Sequence, residues 1–407
     1  MLTTTNQRIS SSPDNLNEKE EEPELSQSEQ ELKDMQGVFE KYEQWLSDQM
    51  AESGTVGAAV AVTYKDKIAF MKCFGTKKVG SEDPVDEHTI FRLASVSKPV
   101  TGVLTAILAQ EQILDFDEKV CETLPWFKLA NQNYTSHLTL SNLLSHTSGL
   151  VPHAYDDLVE GHVPFSAIIE RLKNAGLSAA PGKVYGYQNV MFSLVDTIFA
   201  IKTSKNYRQL IKEKLFEPLG MIDASTDFQS FRDNPNKAYP HRGANGVYNT
   251  LPLNDRYYST APAAGVNASI SDMARFLMAL LDDNNPLLNK DVYQRIFEPR
   301  IVSQLGSGYF KYWDPIKTKQ YALGWRMVDY RERKIAYHGG YVNGYKAEIA
   351  ISKQDNIGIV YLSNSPNTVA SQSIPVFFNA FFEFIDSRPV MANTEESAND
   401  NFKVQGI

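Results

Sequence analysis

The stretch "FRLASVSKPV", residues 91–100, sets Ser95 three residues before Lys98, with Pro99 next. Three residues is close to one helical turn, so a hydroxyl and an amine there share a face. Pro99 lacks a backbone N–H and is tolerated near a helix start. The spacing predicts a helix from residue 95 to about residue 112. At its N-terminus the dipole favours negative charge on the Ser95 oxygen. A serine in that field with an amine one turn away has the make-up of an activated nucleophile.

A second stretch, "PGKVYGYQNVMFSL", puts Tyr187 and Asn189 ahead of an apolar helix. A tyrosine can take a proton if a nearby cation lowers its pKa, and Lys98 would be that cation. A third, "AYHGGYVNGY", ends a strand on His338 and continues with Gly339, Gly340 and Tyr341. Paired glycines in a strand let another molecule approach the backbone, and the Tyr341 N–H can then point at a substrate oxygen. The other candidates are weaker. His137, His153 and His162 lack ligand spacing, so no metal is expected, and no cofactor either. No Gly-x-Ser-x-Gly surrounds Ser95, and Ser148 in "HTSGL" has no lysine one turn on.

Each stretch alone is a weak signal. Together, in this order, they resemble the serine hydrolases of the class C β-lactamase, DD-peptidase and esterase superfamily. The flanking segments "LTLSNLLSHTSGL", "FEPLGM" and "AAGVNASISDMARFL" extend the resemblance over roughly residues 38–385. The resemblance implies that Ser95 forms an acyl-enzyme and that Lys98 and Tyr187 handle its proton, with the base in each step left open. It implies an oxyanion held by the Ser95 and Tyr341 amides, and an Asn189 that donates to the amide or acyl side of the substrate. His146 becomes a packing landmark behind the site.

The third segment departs from the Lys-Thr-Gly usual in true β-lactamases. His338 is mostly neutral at pH 7, and Gly339 removes a hydroxyl donor. Both changes disfavour anionic penicillins and favour esters or D-amino-acid amides and peptides. The expected function is a serine hydrolase on small esters, D-amino-acid amides or β-lactams. An acyltransferase, or a catalytically silent penicillin-binding or scaffold protein, is the alternative.

These stretches need elements to hold them together. Residues 36–52 space apolar side chains as a helix does, and "GAAVAVTYKDKIAFMKCFG" reads as a strand hairpin. Residues 115–260 are mainly helical in pattern, with a long irregular loop at about 228–262. Ser269 and Asp272 are spaced as a capping box. "YALGWRMVDY", "KIAYHGG", "YKAEIAISK" and "NIGIVYLSN" alternate as strands, and a closing helix is broken or started by Pro375. The fold class is α+β: an antiparallel sheet flanked by helices, with an inserted, mostly helical subdomain. Its parts are a sheet portion at about 36–94 and 262–390, a helical insertion at about 115–260, a disordered acidic tail at 1–35 and a flexible tail at 391–407.

Composition narrows the partners. The chain has 407 residues and a formal charge of −9. Residues 1–35 hold nine acids against Arg8, Lys19 and Lys33, so −6 lies in the tail and −3 in the rest. A nearly neutral body predicts no nucleic-acid binding. The expected partner is a small-molecule acyl substrate, and the oligomeric state is not legible. No apolar run reaches the ~20 residues of a transmembrane helix. Without a signal peptide the expectation is cytoplasmic; a leader missing from this sequence would make it periplasmic or secreted. Cys73 and Cys121 are expected as thiols, with Cys73 packed in the core.

Overall fold

The computed structural model describes residues 26–303 and 309–388. The expected C-terminal tail, and residues 1–25 of the expected N-terminal one, lie outside the described residues. Residues 26–35, expected to be disordered, instead carry helix α1 (Gln27–Asp34). Ser26 and Glu29 cap it reciprocally. Its acids have partners: Glu29 pairs with Lys67 at 3.0 Å, and Glu31 accepts from Tyr64 at 3.0 Å and binds Lys65. Glu29 and Glu31 of the acidic stretch thus meet a basic turn.

Eight strands form one sheet. They are β1 (Gly57–Tyr64), β2 (Lys67–Gly75), β3 (Ile301–Val302), β4 (Lys319–Tyr321), β5 (Arg326–Tyr330), β6 (Arg333–Val342), β7 (Tyr345–Ser352) and β8 (Ile357–Ser363). Their order across the sheet is β2-β1-β8-β7-β6-β5-β4-β3, every pair antiparallel. β1 lies between β2 and β8 in the register Ala58↔Ser363 to Tyr64↔Ile357. It is buried along its whole length, which is why its sequence is apolar and small rather than alternating. "YALGWRMVDY", expected as one strand, is two. Gly324, at φ +81°, and a bond from the Ala322 N–H to the Trp325 carbonyl turn the chain between β4 and β5.

One face of the sheet is covered by α2 (Gln36–Ser53) and the closing helix Val369–Ser387, through Phe39, Tyr42, Leu46, Phe377, Phe378 and Phe381. Pro375 neither breaks nor starts that closing helix but lies inside it. Its fixed φ is helical, so the continuing helix lacks only one hydrogen bond. The other face carries helix α3 (Ser97–Gln110), the capped helix Ile270–Leu281 and the helical insertion. Two short strands, Phe91–Arg92 and Asn267–Ala268, pair where the insertion leaves and rejoins the sheet. The irregular loop holds a small hairpin, His241–Ala244 with Val247–Thr250. Cys73 and Cys121 are free thiols and only half-buried, so Cys73 packs at the margin of the core, on the edge strand β2. Among the described residues no helix is long and apolar enough to cross a membrane.

Candidate active site

α3 is buried from Ser97 to Ala109, a mostly apolar helix running through the core that carries Lys98, Thr101 and Thr105 inside it. It starts two residues later than its sequence suggested. Ser95 lies in a 3₁₀ turn, Ala94–Val96, that leads into it. Ala94 sits at φ +48°, a conformation that costs a non-glycine residue about 1–3 kcal/mol. The turn is held there from both sides. The Leu93 N–H donates to the Val266 carbonyl at 2.9 Å, and the Val266 N–H donates to Ser97 Oγ at 2.9 Å. Ser95 is thereby presented half-buried at the end of a rigid helix.

Lys98 and Tyr187 converge on it. The Tyr187 hydroxyl donates to Ser95 Oγ at 2.8 Å, and Lys98 Nζ lies 3.4 Å from the same oxygen. Lys98 also donates to Asn189 Oδ1 at 2.7 Å and to the Ala263 carbonyl at 3.0 Å. Those two acceptors use both hydrogens of a neutral amine, so its lone pair is left facing Ser95. Burial is the main influence driving Lys98 well below the usual lysine range; Asp156 opposes this and Arg326 reinforces it.

The same burial raises the Tyr187 phenol, although Arg326 pulls the other way. The suggestion that Lys98 lowers the Tyr187 pKa is therefore reversed. Lys98 Nζ does stand 4.5 Å from the Tyr187 ring centroid, but lost hydration outweighs any cation there. The phenol donates to Ser95, and the amine accepts from it once unprotonated.

Asn189 opens a short helix, Asn189–Ser193, that follows Tyr187. Its amide oxygen is taken by Lys98, and its Nδ2 donates to Asp156 Oδ2 at 2.9 Å. One amide hydrogen expected for a substrate is thus already committed. His338 differs more from its expected place. It is fully buried, with Nε2 at 3.1 Å from the Tyr321 hydroxyl and Nδ1 at 2.9 Å from the Gly339 carbonyl. Burial, then Arg326 and Lys98, keep it neutral. Both ring nitrogens are satisfied by protein, so His338 supports the strand rather than reaching a ligand.

Gly340 makes the close approach that the paired glycines suggested. A Cβ there would lie 2.4 Å from the Leu93 carbonyl and 3.0 Å from the Ser95 amide nitrogen. β6 pairs with β5 only from Arg333 to Tyr337. Beyond that, among the described residues, no strand covers the edge from His338 to Val342 on that side. Tyr341, 59% exposed, stands on this edge. An open strand edge beside a hydroxyl–amine–phenol cluster can align an acyl group and attack it.

A model of the family described as Beta-lactamase matches residues 42–374. The chain belongs to the beta-lactamase family. Among relatives, it is 25% identical over 365 residues to "Beta-lactamase-like protein 2" of Dictyostelium discoideum, covering 86% of this chain and 63% of that one. It is 26% identical to a "Beta-lactamase" of Yersinia enterocolitica, covering 81% and 87%. The fold is shared with the octameric penicillin-binding protein homologue from Pyrococcus abyssi. There the TM-score is 0.71 at 21% identity, over 84% of this chain and 77% of that one. The chain spans 63%, 53% and 59% of the length of three of its curated relatives.

Around this beta-lactamase-family site stand residues that sequence reasoning missed. Arg326 is 5% exposed, and its Nη1 donates to the Tyr185 hydroxyl at 2.9 Å. Its guanidinium lies 4.5 Å from the ring of Tyr309 and 5.5 Å from those of Tyr187 and Tyr321. Burial works against that charge, and the phenols of Tyr309, Tyr185, Tyr321 and Tyr187 more than restore it. An arginine between Trp325 and Met327 in a strand pattern was the available signal. Glu348 is buried opposite Gly339, accepts from the Tyr337 hydroxyl at 2.5 Å, and is raised by burial to about 7. A Cβ on residue 339 would meet its Oε2 at 2.6 Å. Asp156, at the start of a five-residue helix too short to show a periodic pattern, carried no signal, and His153 was weighed only as a metal ligand.

Proposed function

We propose that the chain is a serine hydrolase that forms an acyl-enzyme on Ser95, with small uncharged esters and amino-acid amides as its substrates. The observation that carries this reading is the Ser95 oxygen set 2.8 Å from a phenol and 3.4 Å from an amine whose pKa burial lowers. Ser95 Oγ attacks the acyl carbon, and its proton passes to Lys98. The amides of Ser95 and Tyr341 hold the oxyanion, a contribution of about 2.7–4 kcal/mol for one such donor. The bond to the leaving alcohol breaks, and that alkoxide takes the Tyr187 proton. The resulting phenolate is balanced by the Lys98 ammonium and by Arg326. Water then attacks the acyl-enzyme and returns a proton to Tyr187. The released Ser95 oxygen recovers its own from Lys98.

Substrate preference follows from what borders the open edge. His338 is neutral and engaged, residue 339 has no hydroxyl, and the carboxyl of Glu348 backs it. A substrate carboxylate there finds no charge-assisted donor in residue 338 or 339, an interaction worth about 1.5–3 kcal/mol. The expected kcat/KM is therefore at least about tenfold higher on p-nitrophenyl butyrate than on a chromogenic cephalosporin. A strong preference for the cephalosporin overturns the assignment of substrate.

The oxyanion site gives a second expectation. Gly340→Ala forces a methyl group into the Leu93 carbonyl and against the Ser95 amide. Both are backbone, so the Ser95 turn must move. A misplacement of about 1 Å costs about 10²-fold, and a loss of that order in kcat on p-nitrophenyl butyrate is expected. Parental kcat in Gly340→Ala removes the edge of β6 from the mechanism.

A further inference from the structure

A short helix at the rim of the cleft, Asp156–Glu160, begins with a side chain that reaches inward. Asp156 Oδ2 accepts from His153 Nδ1 at 2.8 Å and from Asn189 Nδ2 at 2.9 Å. Asn189 Oδ1 then takes the Lys98 amine at 2.7 Å, and that amine stands 3.4 Å from Ser95 Oγ. A continuous line of contacts thus runs from His153, 60% exposed in its side chain, to the reactive serine.

The amide of Asn189 can be inserted in this line in two ways, and only one works. A carboxylate accepts and cannot donate, so the nitrogen must face Asp156 and the oxygen must face Lys98. Without an acceptor oxygen at residue 156 the amide is free to turn over. Its N–H would then point at Lys98 and bind the lone pair that Ser95 needs. We propose that Asp156 is a positioning residue for the reaction, pinning the Asn189 amide in the orientation that leaves the Lys98 lone pair to Ser95. This rests on the acyl-enzyme reading above.

The carboxylate also acts through its charge. Lys98 faces Ser95 beside its own helix, Tyr187, Asn189 and Phe192 from the segment after residue 186, and the Ala263 carbonyl. Asp156 reaches it from the rim, and Arg326 from β5. His338 and His146, both buried and held neutral, complete the surroundings. Asp156 in turn faces His153, Asn189 and Tyr257, with Glu160 beyond Tyr257. Asp156 is therefore the carboxylate that favours the Lys98 ammonium. Removing its charge keeps the amine neutral to lower pH, so the acid limb of kcat/KM moves down.

The test compares the full-length chain with Asp156→Asn and Asp156→Ala on p-nitrophenyl butyrate across pH, with a melting curve for each. Asp156→Asn is isosteric and keeps an acceptor for Asn189. It is expected to shift the acid limb to lower pH and to keep most of its plateau rate. Asp156→Ala is expected to lose about 10- to 100-fold in kcat through misorientation, with KM within about threefold because Asp156 touches no reacting atom. An unmoved acid limb in Asp156→Asn, or parental kcat in a folded Asp156→Ala, overturns the proposal. If the parent chain is active and both variants match it, this inference alone falls. If the parent neither turns over ester nor takes a fluorophosphonate on Ser95, both readings fall together.

Discussion

Ser95→Ala will lose acyl-ester turnover on the order of 10⁶-fold in kcat, the scale seen when the serine of a serine–histidine pair is removed. The size follows from chemistry rather than from packing. Without Oγ no group in the cleft can form the covalent ester, and the two-step route collapses to direct attack by water. Tyr187 and Lys98 keep their places, since Asn189 and the Ala263 carbonyl still hold the amine. The fold is expected to persist, because Ser95 is small and half-buried on a turn fixed by Leu93, Ser97 and Val266. Single-turnover assays with circular dichroism separate the two effects. A folded Ser95→Ala chain with parental kcat would remove Ser95 from the chemistry.

Lys98→Met will fold and will be nearly inactive. Methionine copies the length of the stem and removes the amine. The loss expected from a missing base is about 10²–10⁴-fold. Stability behaves differently. Lys98 is fully buried and pushed toward its neutral form by that burial, so an apolar replacement relieves a desolvation cost. Against this, Asn189 Oδ1 and the Ala263 carbonyl each lose a donor, about 1–3 kcal/mol apiece. The two effects offset, and the circular dichroism spectrum should match the parent. The pH profile carries the sign. The amine works only unprotonated, so kcat/KM of the parent falls as pH drops through the Lys98 pKa, and this limb disappears in Lys98→Met. A parent whose rate falls only on the alkaline side contradicts the assignment of Lys98 as base.

Much of the fold could be read from local pattern. The α2 helix, the β1–β2 hairpin, the Ser269–Asp272 cap and the β6–β8 strands follow from periodicity and turn residues, which act within one element. What escaped depended on partners far along the chain. α1 looks disordered by composition and is ordered by Lys65 and Lys67, more than 30 residues away. The split of β4 from β5 turns on a backbone bond at Gly324 that no alternation reveals.

The same division runs through the site. Ser95, Lys98 and Tyr187 stand in recognisable stretches, and the structure brings their side chains into contact. Their protonation could not be read there. It depends on burial and on Arg326 and Asp156, which neighbour Lys98 only in three dimensions. His338 misled for a related reason. A histidine beside two glycines looks available, but Tyr321 from a neighbouring segment occupies its outer nitrogen.

The most direct measurement is mass mapping of the full chain after treatment with a fluorophosphonate. The Ser95 oxygen displaces fluoride at phosphorus, so the expected result is one phosphonyl adduct, on the peptide that contains Ser95, and none in Ser95→Ala. An adduct on another serine such as Ser148, or a folded and active chain that takes none, contradicts the placement of the nucleophile.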